Sequence, residues 1–319
     1  MKILHIAVSS AVIALVSTAA MAQVVGIGTT KGGFTNQAGQ AIAKIVSQKT
    51  DLQMRSQPFG GSSVYVPALN SNQIEFGLVN EFEGLMAVTG TGIYKGRKHP
   101  NLRIATVLTP FRTAFWSKKG SPITSLKHIK GKRISSGFAS QKIIIPLIQA
   151  YLANAGLSYD DVIKVPAPNV VKGANDFAAG KTDVFFFVFG AGKVREVNAK
   201  VGGLQFLPFD DSPAALNRSR QFVPPAFAMD VNPSKRNIGV TSPGKVMTYF
   251  HTVTTQAKVA DSVVYKVVKA MHGNQPALRK AFPGLGMFNP TKMVKKFEGL
   301  TYHPGAIKFY KEAGMWPPK

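Results

Sequence analysis

Val24–Val46 reads VVGIGTTKGGFTNQAGQAIAKIV. The apolar run Val24 to Ile27 ends in Gly28-Thr29-Thr30-Lys31-Gly32-Gly33, after which Ala38, Ala41, Ile42, Ile45 and Val46 recur at helical spacing. Strand, glycine loop and helix follow one another within one stretch. Leu52, Met54 and Ser56 alternate with Gln53, Arg55 and Gln57 as in a half-buried strand, which Pro58-Phe59-Gly60-Gly61 breaks. Ser62 or Ser63 then caps a helix running to about Asn70. Ile74 to Val79 is the third strand, with Asn80-Glu81-Phe82-Glu83 at its carboxyl end. Strands separated by helical crossovers imply a parallel sheet, so the fold class is α/β. Ligands of such sheets sit at the carboxyl ends of the strands, where these three loops converge.

The same pattern is expected again further along. A polar loop, Gly92 to Asn101, precedes two strands, Leu102 to Leu108 and Thr113 to Ser117. Leu126 to Ile134 leads into Ser135-Ser136-Gly137-Phe138-Ala139-Ser140, and Ile144, Leu147, Ile148, Tyr151 and Leu152 form a helical apolar face. Val162 to Val165 and Val184 to Phe189 read as strands flanking a helix over Val171 to Ala179. Leu216 to Asn237, rich in Pro and Arg, gives no assignable element. A strand over Gly244 to Thr255 returns the chain to the first unit. Asp261 then caps a helix with Val264, Val267, Val268 and Met271 inward, and a last helix runs near Pro304 to Ala313.

The amino terminus reads as an address. Lys2, the apolar stretch Ile6 to Val16, and Ala20 and Ala22 flanking Met21 form an export signal cleaved after Ala22. Its apolar core is shorter than the roughly 20 residues that span a bilayer, so cleavage is expected rather than anchoring. The chain has no cysteine, which excludes disulfides, thiolate zinc sites, cysteine nucleophiles and a lipoprotein anchor. Lys and Arg number 39 against 15 Asp and Glu, a formal charge of +24. Such a balance fits an anionic ligand, an anionic surface or nucleic acid. The basic residues are scattered, with short clusters at Lys130 to Arg133 and Lys295-Lys296, and neither a zinc-finger spacing nor an RNA-binding aromatic signature is present. Nucleic acid is therefore not an expected partner.

Six motifs in order carry a family resemblance: Ile27-Gly28-Thr29-Thr30-Lys31-Gly32-Gly33-Phe34; Gly60-Gly61-Ser62; Phe76-Gly77-Leu78-Val79-Asn80; Leu126 through Gly131-Lys132-Arg133-Ile134; Ala179-Gly180-Lys181-Thr182-Asp183-Val184-Phe185-Phe186; and His303-Pro304-Gly305-Ala306. In them the chain resembles the TAXI-type solute-binding receptors of tripartite ATP-independent periplasmic (TRAP) transporters. The resemblance implies a two-lobed periplasmic-binding-protein fold of type II, each lobe a sheet flanked by helices. Lobe I would comprise 24–117 and 245–319 and lobe II 124–240, with hinges at about 113–123 and 241–250. It further implies a monomeric, non-enzymatic periplasmic protein that closes on a small organic anion, a carboxylate such as an amino acid or dicarboxylate. The solute would pass to the membrane permease subunits of an ion-driven transporter.

Helix amino termini, with unpaired N–H groups and partial positive charge, suit such an anion. Gly61, Ser62 and Ser63 fit that role, glycine admitting the ligand to the backbone and serine adding a donor. Thr29 and Thr30 stand where the family places ligand contacts, with Lys31 either a counter-ion or a solvated loop lysine. Phe34 replaces the tyrosine of many relatives. Asn80 offers donor and acceptor and Phe82 a wall, whereas Glu81 and Glu83 would repel an anion unless they point away or pair with an amine. In the second lobe Ser136, Ser140 and Gln141 open the helix that faces the cleft, and Phe187 and Phe189 share a face toward it. With Phe34, Phe82 and Phe138, they suggest a ligand with an apolar or aromatic part.

Enzyme signatures fail. Gly26, Gly28 and Lys31 lack the third glycine of a dinucleotide fingerprint, and no phosphate-loop lysine-serine pair follows a glycine loop. No histidine falls at metal-ligand spacing and no serine lies in a G-x-S-x-G elbow, so neither a metal nor a cofactor is expected. Two other readings stay open: the same fold serving an ATP-driven uptake system or a sensor, and a cationic envelope-surface binding protein that uses its charge rather than a cleft.

Overall fold

The structure, a computed structural model, describes residues 22–318. The signal expected over Met1 to Ala22 lies outside these residues, apart from Ala22. The opening stretch forms β1 (Gln23–Thr30) and α1 (Gly33–Lys49), followed by β2 (Leu52–Phe59), α2 (Ser62–Asn70), β3 (Phe76–Asn80) and α3 (Glu81–Thr89). β1 pairs in parallel with both β2 and β3, so the crossovers place all three carboxyl ends at one rim. Ala38, Ile42, Ile45 and Val46 of α1 are buried against this sheet, as their spacing requires.

Two long strands then carry the chain through the molecule. β4 (Leu102–Lys118) and β10 (Gly244–Gln256) pair antiparallel from Thr113 with Met247 to Leu102 with Gln256. The amino-terminal half of β4 lies beside β10, which in turn adds to β3; its carboxyl-terminal half lies between β7 (Val184–Val188) and β8 (Leu204–Leu207). β9 (Phe227–Val231) completes this mixed eight-stranded sheet against β10. The expected hinge segments fall at the ends of these two strands. The expected break between Leu108 and Thr113 is absent: Pro110 sits inside β4, facing Phe250. The register slips by one residue at Leu108, between the pairing of His251 with Thr109 and that of Thr252 with Val107.

A second, two-stranded parallel sheet pairs β5 (Arg133–Gly137) with β6 (Ile163–Ala167). α5 (Val170–Ala178) packs on it and on β7, with α6 (Gly192–Lys200) against α5, while α4 (Ile144–Asn154) packs against α7 (Pro213–Arg220). The segment Leu216 to Asn237 thus holds the end of α7 and all of β9. On the other side α8 (Asp261–Gly273), α9 (Gln275–Ala281) and α10 (Pro304–Glu312) pack with α1 and with one another. Two lobes therefore gather at the two ends of β4 and β10. No helix among the described residues is long and apolar enough to cross a membrane.

Two expected caps are corrected. Gly61, not Ser62 or Ser63, holds the cap position of α2, and Asp261 is the first residue of α8, after Ala260. The Asp261 carboxylate instead lies 3.7 Å from His303 Nδ1, which itself accepts the Gly305 N–H at 3.2 Å to cap α10. The glycine of His303-Pro304-Gly305-Ala306 is needed for close approach, since a Cβ there would stand 2.1 Å from the Asp261 carbonyl oxygen.

Candidate functional site

A cavity of about 300 Å³ opens between the lobes at the rim of β1 to β3. Thr30 to Thr35, Gly60 with Ser62, and Asn80 line it, so the three loops that are far apart in sequence do converge. The opposite wall comes from Gln141, Ile143 and Ile144, Asn169 to Lys172, and Phe186 to Val188. α1, α2 and α4 all start on this cavity, and none has a side-chain cap at its amino terminus. The first N–H groups of α1 and α2 are left to the cavity, whereas Ile144 and Ile145 at the start of α4 donate to the Gln141 and Lys142 carbonyls at 3.0 Å. α5 differs, because the Asn169 side chain accepts its Lys172 N–H at 2.9 Å. The Gln141 side chain joins the wall by accepting the Val170 N–H at 3.2 Å.

Of the residues expected at the site, Thr30, Phe34, Ser62, Asn80, Gln141 and Phe187 line the cavity, as does Lys31. Gly61 touches the second lobe at Ser140 and Gln141. The others stand elsewhere. The Thr29 hydroxyl lies 3.2 Å from Ser56 Oγ, and the Ser140 hydroxyl donates to the Pro168 carbonyl at 2.9 Å. Ser63 and Ser136 do not reach the cavity, and Phe82 lies beneath it, edge-on to Tyr249 with ring centroids 5.0 Å apart. Phe187 and Phe189 part company because β7 ends at Val188. Phe189 turns to pack on Trp116 and Phe206, with centroids at 4.9 and 5.6 Å.

The long strands contribute residues that no local motif announces. Phe111 and Thr113 of β4 and Tyr249 and His251 of β10 form the floor. Phe111 stacks obliquely on His251 at 4.5 Å and edge-on to Phe34 at 5.1 Å. The only sequence trace of this floor is the density of Thr and His within an otherwise apolar β10, where polar side chains are buried. Burial holds the His251 pKa down to about 4, so the ring is neutral. Asn80 Oδ1, Tyr249 Oη and His251 Nδ1 are buried without a hydrogen-bond partner.

The two glutamates of Asn80-Glu81-Phe82-Glu83 separate. Residues two apart on a helix point about 200° apart, and α3 starts at Glu81. Glu81 turns from the cavity and accepts the Phe250 N–H at 2.9 Å. Glu83 lies at the cavity, where its Oε1 accepts the Tyr94 hydroxyl at 3.1 Å. Burial pushes Glu83 up to about 7, against the pull of the Ser62 and Tyr94 hydroxyls. Below that pH it is mostly neutral and does not repel an anion. Lys31 at the rim makes no ion pair among the described residues, whereas Lys172 is paired with Asp176 at 2.5 Å.

This architecture, a mixed sheet carried across two helix-flanked lobes by long antiparallel strands with a cleft between them, is that of the periplasmic binding proteins. The chain belongs to the NMT1-like family, whose profile matches residues 27–314. In fold it is similar to a protein from Prochlorococcus marinus solved with methylphosphonate, at TM-score 0.58 and 11% identity, over 92% of this chain and 98% of that one. A binding component of an ABC phosphonate transporter from Pseudomonas aeruginosa aligns at TM-score 0.54 and 11% identity, over 83% and 80% of the two chains. The alkanesulfonate-binding protein SsuA from Xanthomonas axonopodis pv. citri, bound to MOPS, aligns at 0.52 and 15% identity, over 92% of each.

Proposed function

We propose that the protein is an exported solute-binding protein that captures a small organic anion between its lobes and hands it to a membrane permease. The observation that carries this reading is the convergence of the uncapped starts of α1 and α2 on one cavity, beside Lys31, which makes no ion pair among the described residues. Free N–H groups at helix starts favour anions without any metal or cofactor. An anionic head of the solute sits at Gly32-Gly33 and Ser62, and an apolar part rests on Phe34, Phe111 and Phe187. Export follows from the Met1 to Ala22 signal, and a purified envelope protein beginning at Gln23 would support it.

The head group is a carboxylate, phosphonate or sulfonate. The fold neighbours that bind methylphosphonate and alkanesulfonate support the last two. The Pseudomonas neighbour belongs to an ABC transporter, which favours delivery to an ATP-driven importer. Delivery to an ion-driven TRAP permease of the TAXI type rests on the order of six sequence motifs. A thermal-shift screen of carboxylates, phosphonates, sulfonates and amino acids tests the reading, because a ligand at a hundred times its dissociation constant stabilises by about 2.7 kcal/mol. Failure of every anion to raise the melting temperature would overturn it, and salt-sensitive retention on anionic polymers would then favour the surface-binding alternative.

A further inference from the structure

A second cavity, of about 280 Å³, lies on the other side of the aromatic wall. Phe34, Phe111 and Val188 line both cavities, so the partition between them is apolar. The second cavity also bridges the lobes. The turn Pro283–Met287 closes it from the lobe of α1, Phe189, Gly190 and Arg236 close it from the other lobe, and Arg112 enters from the middle of β4. The lobes already touch here, since a Cβ on Gly190 would meet Gly284 Cα at 3.7 Å and one on Gly286 would meet Arg236 Nη1 at 3.9 Å.

No acidic residue lines this cavity. Arg112 is half-buried, with its Cζ 5.4 Å from the centre of the Phe189 ring. Among the described residues its guanidinium has neither a carboxylate within 4 Å nor a hydrogen-bond acceptor, and burial alone lowers its pKa. Arg236 is likewise without an ion pair among the described residues. Thr109, 2% exposed, adds a buried hydroxyl with no hydrogen-bond partner. A half-buried guanidinium presents five donors in a fixed fork, and leaving them dry and unpaired is costly. An oxyanion beside Arg112 satisfies that fork, and the exposed Arg236 reaches its other side across the junction.

We propose that this cavity is a second anion site, in which Arg112 and Arg236 hold a small oxyanion, phosphate, sulfate or a carboxylate, across the junction of the two lobes. The site stands apart from the solute cavity and does not depend on what that cavity binds. Because its walls come from both lobes, the anion favours the closed arrangement and so tightens solute binding, and the coupling is reciprocal.

Inorganic phosphate is the probe. Thermal unfolding of the mature chain is followed against phosphate concentration at constant ionic strength, together with equilibrium dialysis. The wild type and Ser62→Ala should show the same saturable rise in melting temperature. In Arg112→Gln and in Arg236→Gln, half-saturation should move up by about tenfold or more. Arg236 is exposed, so its replacement keeps the test valid even if Arg112→Gln folds poorly. An unchanged response in Arg236→Gln would refute the site. So would a half-saturation that moves up in Ser62→Ala alone, which would place phosphate in the solute cavity, or no saturable response in the wild type.

Discussion

Gly61 and Ser140 meet backbone to backbone across the cleft. A Cβ built on Gly61 would stand 2.1 Å from the Ser140 carbonyl oxygen and 2.8 Å from Gln141 Cα. Neither atom belongs to a side chain that can swing aside, so the contact requires glycine and marks the point where the lobes close on one another.

Gly61→Ala should therefore fold and yet fail to close. Its backbone φ of 178° is extended, which any residue adopts, so the penalty falls on the inter-lobe contact and not on α2. Overpacking of this kind costs about 1–3 kcal/mol. Affinity for the best anion of the screen, measured by calorimetry, should drop by about tenfold or more. Small-angle scattering should show no compaction on adding that anion. Wild-type binding would mean that closure does not need this contact.

Ser62→Ala removes a hydroxyl from the first turn of α2 at the cavity edge, while the backbone N–H groups of α2 stay in place. The loss should be about 1 kcal/mol of binding, roughly fivefold in the dissociation constant. Unchanged affinity would take the start of α2 out of the site.

Stability should fall as the pH rises toward and through neutral. Burial raises both Glu81 and Glu83 to about 7 from an ordinary value near 4.5, so the folded chain holds protons that the unfolded chain has lost. Their contribution is complete below the unfolded value and is lost as the pH climbs through 7, on the order of 3 kcal/mol for each group. His251, held down to about 4, works the other way between 4 and 6.5. The decline should thus be steepest between about 6.5 and 7, where the opposing histidine contribution fades, and should level off at higher pH. Glu83→Gln should reduce that decline by about half in denaturant titrations run across this range. A profile identical to wild type would show that the carboxyl titrates normally in the fold.

Trp116→Ala should be severely destabilising. The indole is fully buried, stacks on Phe185 at 5.4 Å and donates its Nε1–H to the Ile238 carbonyl at 2.9 Å. Its removal leaves a cavity and an unpaired carbonyl, about 3–5 kcal/mol by chemical denaturation. A loss below about 1 kcal/mol would mean that the second lobe repacks around the gap.

Much of the fold was legible because it is local. The 3.6-residue spacing in Ala38 to Val46 and the alternation of Leu52 to Gln57 can each be read without knowing any neighbour. The strand-loop-helix order then fixes a parallel sheet and puts Thr30, Gly60 and Asn80 at one rim. Caps were read less well. A serine or aspartate near a helix start reads as the cap, yet Gly61 and Ala260 hold those positions, and Ser62 and Asp261 are spent on contacts outside their own turns. Pro110 likewise reads locally as a strand end, and only the pairing with Phe250 of β10 shows that the strand continues through it.

The sequence by itself determined the α/β architecture, the glycine loops that can approach a ligand, and the absence of thiol chemistry. Tertiary structure decided which side chains face the cleft. Glu83 rather than Glu81, Phe187 rather than Phe189, and Tyr249 and His251 from a strand far down the chain were selected by helix phase, strand ends and the register of β10 on β3. Those choices depend on packing and strand pairing between elements remote in sequence. No window of neighbouring residues contains that information.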